Sequence, residues 1–282
     1  MDILFPTDLS ERSAEHFAFA LDLAQKLGDS ITLLHVYPVP VNYPTLEEGR
    51  MGDVSEELLN ATSSAMEERM RLFKEGLSNR YASTHPGMTR VNTALRMGFP
   101  GDEVARAAAE MQARFVIIGV KQSSGLKRFF GGSKVSAILK KCEVPIVTIP
   151  DGYTYKPIDR IGYATDLTFS DNSVINNLLG LATSIKAQVR CFHVHDSNLD
   201  VENSIIDDFI KQYKTEANNR LITFELVDNI NTLDGIDYFI QNHDIDMLAV
   251  LKQKSYWLEI FDASMTKKLV FHEQIPLIIF HE

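Results

Sequence analysis

The sequence predicts an α/β fold with two tandem, doubly wound parallel sheets of five strands each. A set of short motifs recurs at the spacing of a whole domain, and short apolar runs alternate with longer segments of helical periodicity. The apolar runs are continuous, as in parallel strands that are covered on both faces. Strands that alternate with helices form parallel sheets with right-handed crossovers.

The repeat is visible in four pairs of residues that share two constant offsets in residue number. The first offset is 158 and joins Asp8 to Asp166 and His35 to His193 (166 − 8 = 158 and 193 − 35 = 158). The second offset is 131 and joins Lys121 to Lys252 and Pro145 to Pro276 (252 − 121 = 131 and 276 − 145 = 131). The second copy is therefore shorter in between by the difference of the two offsets (158 − 131 = 27).

A repeat of this length is a domain and not a solenoid unit, so the pattern indicates a tandem duplication. We predict a first domain over residues 1–150, a linker over 151–157 and a shortened second domain over 158–282. A chain of 282 residues suits two domains of ordinary size.

The composition is that of a soluble globular protein and argues against two classes of partner. The formal net charge of −10 argues against general binding of nucleic acid or of an anionic membrane surface. Cys142 and Cys191 lack the spacing of a metal or redox motif, so we expect reduced thiols in the cytoplasm. The first residues are typical of a strand rather than a signal peptide, and no segment has the length of a membrane span.

The first half contains five strand patterns and four helix patterns. Ser10 is expected to cap the first helix, and Gly28 to end it. The predicted strands cover residues 3–6, 31–36, 90–96, 115–119 and 144–149. The later helices are predicted over 56–81, 102–112 and 133–141.

The second half repeats this order. Its clearest elements are strands over 161–165, 189–195 and 275–280 and a helix over 168–185. The missing residues fall after its second strand, so the following loop and part of the second helix are expected to be shorter.

Ligands of such sheets lie at the carboxyl ends of the strands, where the strand order reverses. Asp8 directly follows the first strand and is a candidate contact to a base, a ribose or a metal. The alternative is an acidic residue that favours the start of the following helix. His35 and His193 are interpreted as hydrogen-bonded histidines of the core or of strand ends.

A glycine- and serine-rich loop follows the fourth strand and is a candidate phosphate site. It begins at Gly119, contains Lys127 and Arg128, and closes with Gly132 and Ser133. Backbone N–H groups at a helix start favour phosphate. The alternative is a surface loop with Ser133 as N-cap.

The corresponding loop of the second half lacks these glycines and carries acidic and bulky residues instead. In the alignment given by Lys121 and Lys252, Val250 replaces Gly119, and Asp262 and Glu259 bring negative charge. Side chains and carboxylates at these positions disfavour a bound phosphate. Trp257, the only tryptophan, is expected to fill this space or, alternatively, to anchor a partner.

Together these residues resemble the universal stress protein family. The resemblance rests on Asp8, on the pair His35-Val36, on Gly98, on Gly119 with Gly132-Ser133, and on the closing strand that begins at Val144. It extends over both halves and implies the adenine nucleotide alpha hydrolase-like fold. It also implies pairing of the two repeats through their last strands, as a pseudo-dimer within one chain.

The resemblance leaves open whether this chain binds ATP, because only some members of the family do. Members that bind ATP carry Gly-x2-Gly-x9-Gly-Ser/Thr, and here Gln122 takes the place of the second glycine. If ATP or AMP binds, the resemblance places the base and ribose near Asp8 and Val36. It places the phosphates near four residues, namely Gly119, Gln122, Gly132 and Ser133.

We therefore expect a cytoplasmic stress-response protein that is not an enzyme and binds adenine nucleotide at most in its first repeat. The alternative is an adaptor without nucleotide that acts through an unidentified protein partner. A further homodimer is left open, and no metal site is expected.

Overall fold

The structure is a computed structural model that describes residues 1–40, 56–81, 83–84, 90–120, 133–167, 171–195, 203–252, 269 and 274–281. The first half, lobe 1, has strands β1 (Asp2–Pro6), β2 (Ser30–Tyr37), β3 (Val91–Met97), β4 (Phe115–Val120) and β5 (Ile146–Pro150). Its helices are α1 (Glu11–Leu27), α2 (Glu56–Tyr81), α3 (Pro100–Glu110) and α4 (Ser133–Lys141).

The second half, lobe 2, has strands β6 (Arg160–Ala164), β7 (Gln188–His195), β8 (Ile222–Asp228), β9 (Met247–Lys252) and β10 (Leu277–His281). Its helices are α5 (Asp171–Ile185), α6 (Asn203–Gln212), α7 (Lys214–Asn218) and α8 (Thr232–Asn242). The predicted shortening is confirmed, because α2 has 26 residues whereas α6 and α7 have 10 and 5.

The described strands form one sheet with the order β3-β2-β1-β4-β5-β10-β9-β6-β7-β8. Every neighbouring pair is parallel except β5 and β10, which are antiparallel. The predicted fold class is therefore confirmed, with two five-stranded parallel units joined through their last strands. The domain bounds 1–150 and 158–282 stay predictions, although the gap between β5 and β6 falls at the expected linker.

The local signals at the first helix act as predicted. The Ser10 hydroxyl accepts a hydrogen bond from the Ser13 N–H, and Gly28 ends the helix with a φ of 70°. Strands β5 and β10 begin two residues later than predicted, after Pro145 and Pro276. A proline has no N–H to donate to a ladder, so it delays the start of the strand.

Two apolar cores cover the two faces of the sheet, and each core continues from lobe 1 into lobe 2. The face covered by α1, α2 and α5, here the α1 face, includes Phe17, Leu77 and Leu178. The face covered by α3, α4 and α8, here the α3 face, includes Val104 and Phe239. The lobes thus share their cores as well as their sheet.

The register of β9 corrects the alignment of the two halves. In lobe 1, Ile3 lies opposite Phe115, whereas in lobe 2 its counterpart Ile161 lies opposite Met247. The offset between β4 and β9 is therefore 132 (247 − 115 = 132) and not 131. Since β3 and β8 keep an offset of 131 (222 − 91 = 131), the extra residue lies between β8 and β9.

This one-residue shift changes which residue replaces Gly119. Side chains alternate between the faces of a strand, so a shift of one residue moves a side chain to the opposite face. Val250 packs on the α3 face, and Leu251 packs on the α1 face. The prediction that Val250 replaces Gly119 was wrong, because Leu251 occupies that place. Lys252 likewise corresponds to Val120 and not to Lys121.

The junction between the lobes combines a short ladder with side-chain contacts. Residues 277–279 of β10 pair with residues 146–148 of β5. Lys252, at the end of β9, places its Nζ atom 3.0 Å from the Leu139 carbonyl oxygen of α4. Burial lowers the pKa of Lys252 to about 8, and the nearby Cys142 and Glu143 oppose this effect.

We expect His281→Phe to reduce the loss of stability between pH 7 and pH 5. Both ring nitrogens of His281 are buried, and neither makes a hydrogen bond of normal geometry within the described part of the chain. Burial and the positive charge of Lys252 together lower the pKa of His281 to about 4, although a polar contact with the Glu143 backbone opposes them. The unfolded histidine, with a pKa of about 6.5, binds a proton first as the pH falls, so stability decreases below that pH. Urea unfolding at the two pH values measures this slope, and equal slopes in both proteins would contradict the prediction.

Candidate functional site

A cleft of about 480 Å³ lies in lobe 1 at the carboxyl ends of β1, β2 and β4. The strand order of this lobe reverses between β1 and β4, so the cleft is at the position where such sheets bind ligands. Asp8, Val36 and Gly119 all line it. The structure thus brings together three of the six predicted contact residues.

The other three predicted residues fall in or next to a segment that the structure does not describe. Gln122 and Gly132 lie outside the described residues, as do Lys127 and Arg128. Ser133 is the first residue of α4, which places its backbone beside the cleft, while its side chain is not described.

Asp8 sits in a tight turn between β1 and α1. Leu9 has a φ of 61°, and the Asp8 Oδ1 atom accepts a hydrogen bond of 3.1 Å from the Ser10 N–H. Partial burial raises the pKa of Asp8, but hydrogen bonds from Ser10 and the charge of Lys134 outweigh this and lower the pKa. The carboxylate is therefore a stable anion that supports the turn before the helix and also faces the cleft.

The two repeated histidines lie at strand ends and hold the same turn in each lobe. His35 Nδ1 is 2.8 Å from the carbonyl oxygen of Thr7, and His193 Nδ1 is 2.7 Å from that of Thr165. A carbonyl only accepts, so Nδ1 carries the proton in both rings. The interpretation of these residues as hydrogen-bonded strand-end histidines is confirmed.

Gly119 is in contact with His16, a residue of α1 that sequence reasoning missed. A Cβ atom at position 119 would lie 2.0 Å from His16 Nδ1, far inside van der Waals contact. The ring of His16 is only 5% exposed, and burial lowers its pKa, although the Asp151 carboxylate opposes this. The absence of a side chain at Gly119 therefore makes room for an imidazole at the base of the cleft.

Two cations that the sequence did not single out also line the cleft. Arg12 of α1 forms an ion pair of 2.8 Å with Asp151, which follows β5. Lys134 lies in the first turn of α4, and its side chain is exposed. A helix start with a nearby lysine favours an anion, so the arrangement suits a phosphate group.

The corresponding position of lobe 2 is filled by side chains. Val174 stands where lobe 1 has His16, and Leu251 stands where it has Gly119; both pack on the α1 face. Val194, the counterpart of Val36, packs so tightly against α8 that a Cβ atom at Gly235 would lie 2.5 Å from it.

Asp166 keeps its place after β6. Asp262, Glu259 and Trp257 lie outside the described residues.

Lobe 2 also contains a buried polar pair that lobe 1 lacks. The hydroxyl group of Tyr163 donates a short hydrogen bond to the Asp171 carboxylate, and both side chains are buried. Their lobe 1 counterparts, at the offset of 158, are Phe5 and Ser13. Burial and the Asp171 charge raise the pKa of Tyr163, so its phenol stays protonated as a donor.

The described ranges contain neither a metal site nor a membrane span. Within them, no group of three or more histidine, cysteine, aspartate or glutamate residues is arranged to hold a metal ion. No helix among them is long and apolar enough to cross a bilayer. Cys142 and Cys191 are free, buried thiols.

Comparison with known proteins identifies the family. The universal stress protein family matches residues 1–150, which is more than half of the chain. A universal stress protein of Methanocaldococcus jannaschii is 22% identical over 147 residues, covering 52% of this chain and 80% of its relative. The chain therefore belongs to the universal stress protein family.

Solved structures show the same fold over the whole chain. A universal stress protein from Archaeoglobus fulgidus superimposes with a TM-score of 0.75 at 16% identity, covering 100% of this chain and 96% of the other. A putative universal stress protein from Pseudomonas aeruginosa gives a TM-score of 0.55 at 13% identity, covering 99% and 92%.

Proposed function

We propose that lobe 1 binds an adenine nucleotide such as ATP and that the protein acts through this binding and not by catalysis. The observation that carries the proposal is the cleft at the strand-order reversal of lobe 1, which is lined by Asp8, by Val36 and by Lys134 at the start of α4. Its volume of about 480 Å³ is in the range of small-molecule sites.

The groups that line the cleft suit the parts of a nucleotide. The base and ribose lie near Asp8 and Val36 in this proposal, and the phosphates lie near Gly119 and the start of α4. Lys134 supplies positive charge there. Gln122, Gly132 and Ser133 complete the proposed phosphate contacts.

Binding in lobe 1 alone is favoured by the contrast between the lobes. In lobe 2, the apolar side chains of Val174 and Leu251 replace the imidazole and the glycine at the base of the lobe 1 cleft, so the polar ring is missing from the equivalent position. The lowered pKa of Asp8 and its hydrogen bonds favour a role in binding over a role in catalysis. A carboxylate with a lowered pKa that already accepts hydrogen bonds from Ser10 is a weak general base.

We expect Asp8→Asn to weaken ATP binding about tenfold, because one charge-assisted contact contributes about 1.5 kcal/mol or more. The matched control is Asp166→Asn, which makes the same change at the equivalent turn of lobe 2 and should leave the affinity unchanged. Isothermal titration calorimetry with ATP measures both variants. Absence of binding to the wild-type protein at millimolar ATP would refute the proposal, and equal losses in both variants would refute the assignment to lobe 1.

A second candidate function is that of an adaptor that binds a protein without any nucleotide. Lobe 2 exposes large apolar side chains near its outer edge, since Ile230 is 82% exposed and Tyr238 57%. Exposed apolar side chains suit contact with another protein where they lie together in one patch. Mass spectrometry of small molecules released from freshly purified, denatured protein separates the two functions, because a bound adenine nucleotide would exclude the adaptor without nucleotide. The cytoplasmic location and a further homodimer stay predictions.

A further inference from the structure

We propose that Lys252 of lobe 2 is a positioning residue for the cleft of lobe 1, because it holds the far end of the helix that lines this cleft. The proposal deepens the proposed function and rests on it for the affinity measurement alone. It gives lobe 2 a direct effect on the ligand site of lobe 1.

The contact joins a lysine of one lobe to a helix end of the other. Lys252 Nζ lies 3.0 Å from the carbonyl oxygen of Leu139, in the last turn of α4. The last four carbonyl groups of a helix have no partner within the helix, so an external donor satisfies one of them. A lysine amine donates in either protonation state, and its positive charge interacts favourably with the negative end of the helix dipole.

The same helix lines the cleft from its first turn to Ile138, the residue before Leu139. Lys134, Val135 and Ile138 of α4 line it. Lys134 lies only five residues before Leu139, which is about 8 Å along the helix axis. Because α4 has only nine residues, we expect a shift at Leu139 to be transmitted along the helix to the cleft wall.

Helix α4 is also held by other contacts, which include the burial of Ile138 and Leu139 in the core of the α3 face. Its middle packs against α3, where a Cβ atom at Gly101 would lie 2.6 Å from the Ala137 Cβ atom. Lys141 forms an ion pair with Asp102, and the two side chains are 46% and 43% exposed. Exposed ion pairs contribute little, so the half-buried Lys252 contact is the stronger of these two polar contacts at the carboxyl end.

The contact is also asymmetric between the lobes. The counterpart of Lys252 in β4 is Val120, which is buried in the core of the α3 face. A valine has no donor for a helix carbonyl, so lobe 1 does not return the same contact. The direction of the restraint therefore runs from lobe 2 to lobe 1, the lobe with the open cleft.

The test compares Lys252→Met, Lys252→Arg and Lys141→Met in the full-length chain. Methionine keeps the apolar stem and removes the donor, arginine restores a donor, and Lys141→Met removes a cation from the same helix end without touching the interlobe contact. Methyl NMR of Val135 and Ile138 monitors the cleft wall, amide hydrogen exchange monitors α4, and calorimetry measures the ATP affinity.

We expect Lys252→Met to shift the methyl signals of Val135 and Ile138, to speed exchange in the last turn of α4 about tenfold and to weaken ATP binding about three- to tenfold. Lys252→Arg should recover most of each effect, and Lys141→Met should change exchange and affinity less than twofold. A role in overall stability alone would lower the unfolding midpoint without moving the cleft methyl signals.

Unchanged methyl signals and unchanged exchange in Lys252→Met would overturn the proposal. So would moved signals together with an unchanged affinity in a wild-type protein that binds ATP. If the wild-type protein binds no ATP, the proposed function fails, and the methyl and exchange measurements still decide whether Lys252 positions α4. If Lys252→Met does not fold, Lys252→Gln, which keeps a shorter donor, is measured in its place.

Discussion

Gly119→Leu is expected to lower the free energy of unfolding by about 3 kcal/mol or more, and His16→Val is expected to recover much of that loss when the two changes are combined. The first added carbon atom would lie 2.0 Å from His16 Nδ1, so the strand, the helix or the ring must move. Overpacking of a buried site typically costs about 1–3 kcal/mol and sometimes more.

The combined variant reproduces the arrangement of lobe 2. There, Val174 and Leu251 occupy the two equivalent positions and pack on the same face of the sheet. Shortening His16 to valine should therefore provide the space that a leucine side chain at position 119 needs. His16→Val alone leaves a cavity beside Gly119 and should cost about 1–2 kcal/mol.

Urea unfolding of the wild-type protein, the two single variants and the double variant gives a double-mutant cycle. We expect a coupling of about 2 kcal/mol in favour of the double variant. Gly180→Ala in α5 is the control, because a Cβ atom there meets no atom within 4 Å and should be neutral or slightly stabilising. Additive single effects would show that His16 and Gly119 do not share one space.

The buried pair of lobe 2 gives the second large expected effect. Tyr163→Phe should lower the free energy of unfolding by about 3 kcal/mol, because it removes a donor from the buried carboxylate of Asp171. Asp171→Ser alone should cost about 2 kcal/mol, because the buried phenol loses its acceptor. The double variant restores the Phe5 and Ser13 pair of lobe 1 and should cost clearly less than the sum.

Tyr163→Phe is also expected to change how stability depends on pH in the alkaline range. The pKa of Tyr163 is raised in the folded protein, whereas the unfolded phenol ionises at a pH of about 10. The contribution of Tyr163 to the free energy of unfolding is therefore complete below that pH. It is lost as the pH rises above that value. Tyr163→Phe should therefore lose less stability than the wild-type protein between about pH 9 and 11. An identical alkaline slope, or a neutral effect of Tyr163→Phe at pH 7, would show that the hydrogen bond does not stabilise lobe 2.

The fold was predictable because its signals are local or repeated. Ser10 and Gly28 mark the ends of α1 through their own chemistry, and the constant offset between Asp8 and Asp166 reports the duplication without any tertiary information. The predicted bounds of α2, residues 56–81, agree with the structure, because charge and apolar periodicity persist over the whole helix.

The register of β9 was not predictable from the same argument. The identity of Lys121 and Lys252 suggested one constant offset for the end of each lobe, but one residue inserted between β8 and β9 shifts the strand by one position. In a strand buried on both faces, nearly every residue is apolar, so the sequence does not reveal which face each side chain occupies.

Part of the site was predictable because it follows strand ends. Asp8 and Val36 fall there by simple position. His16 was missed because it lies on the buried side of an apolar helix, and its significance depends on Gly119, which is far away along the chain. Arg12 and Lys134 were missed because single surface cations carry no pattern that a sequence can reveal.

The antiparallel contact of β5 with β10 joins two lobes of one polypeptide, and this has a consequence for how the protein can diverge. Separate subunits dissociate on dilution, whereas lobes on one chain stay together at any concentration. In a symmetric dimer of identical chains, each substitution is present twice, so one that closes a cleft closes both. Covalent fusion removes this constraint, so one half can acquire the valine and leucine of lobe 2 while the other half keeps the histidine and glycine of lobe 1.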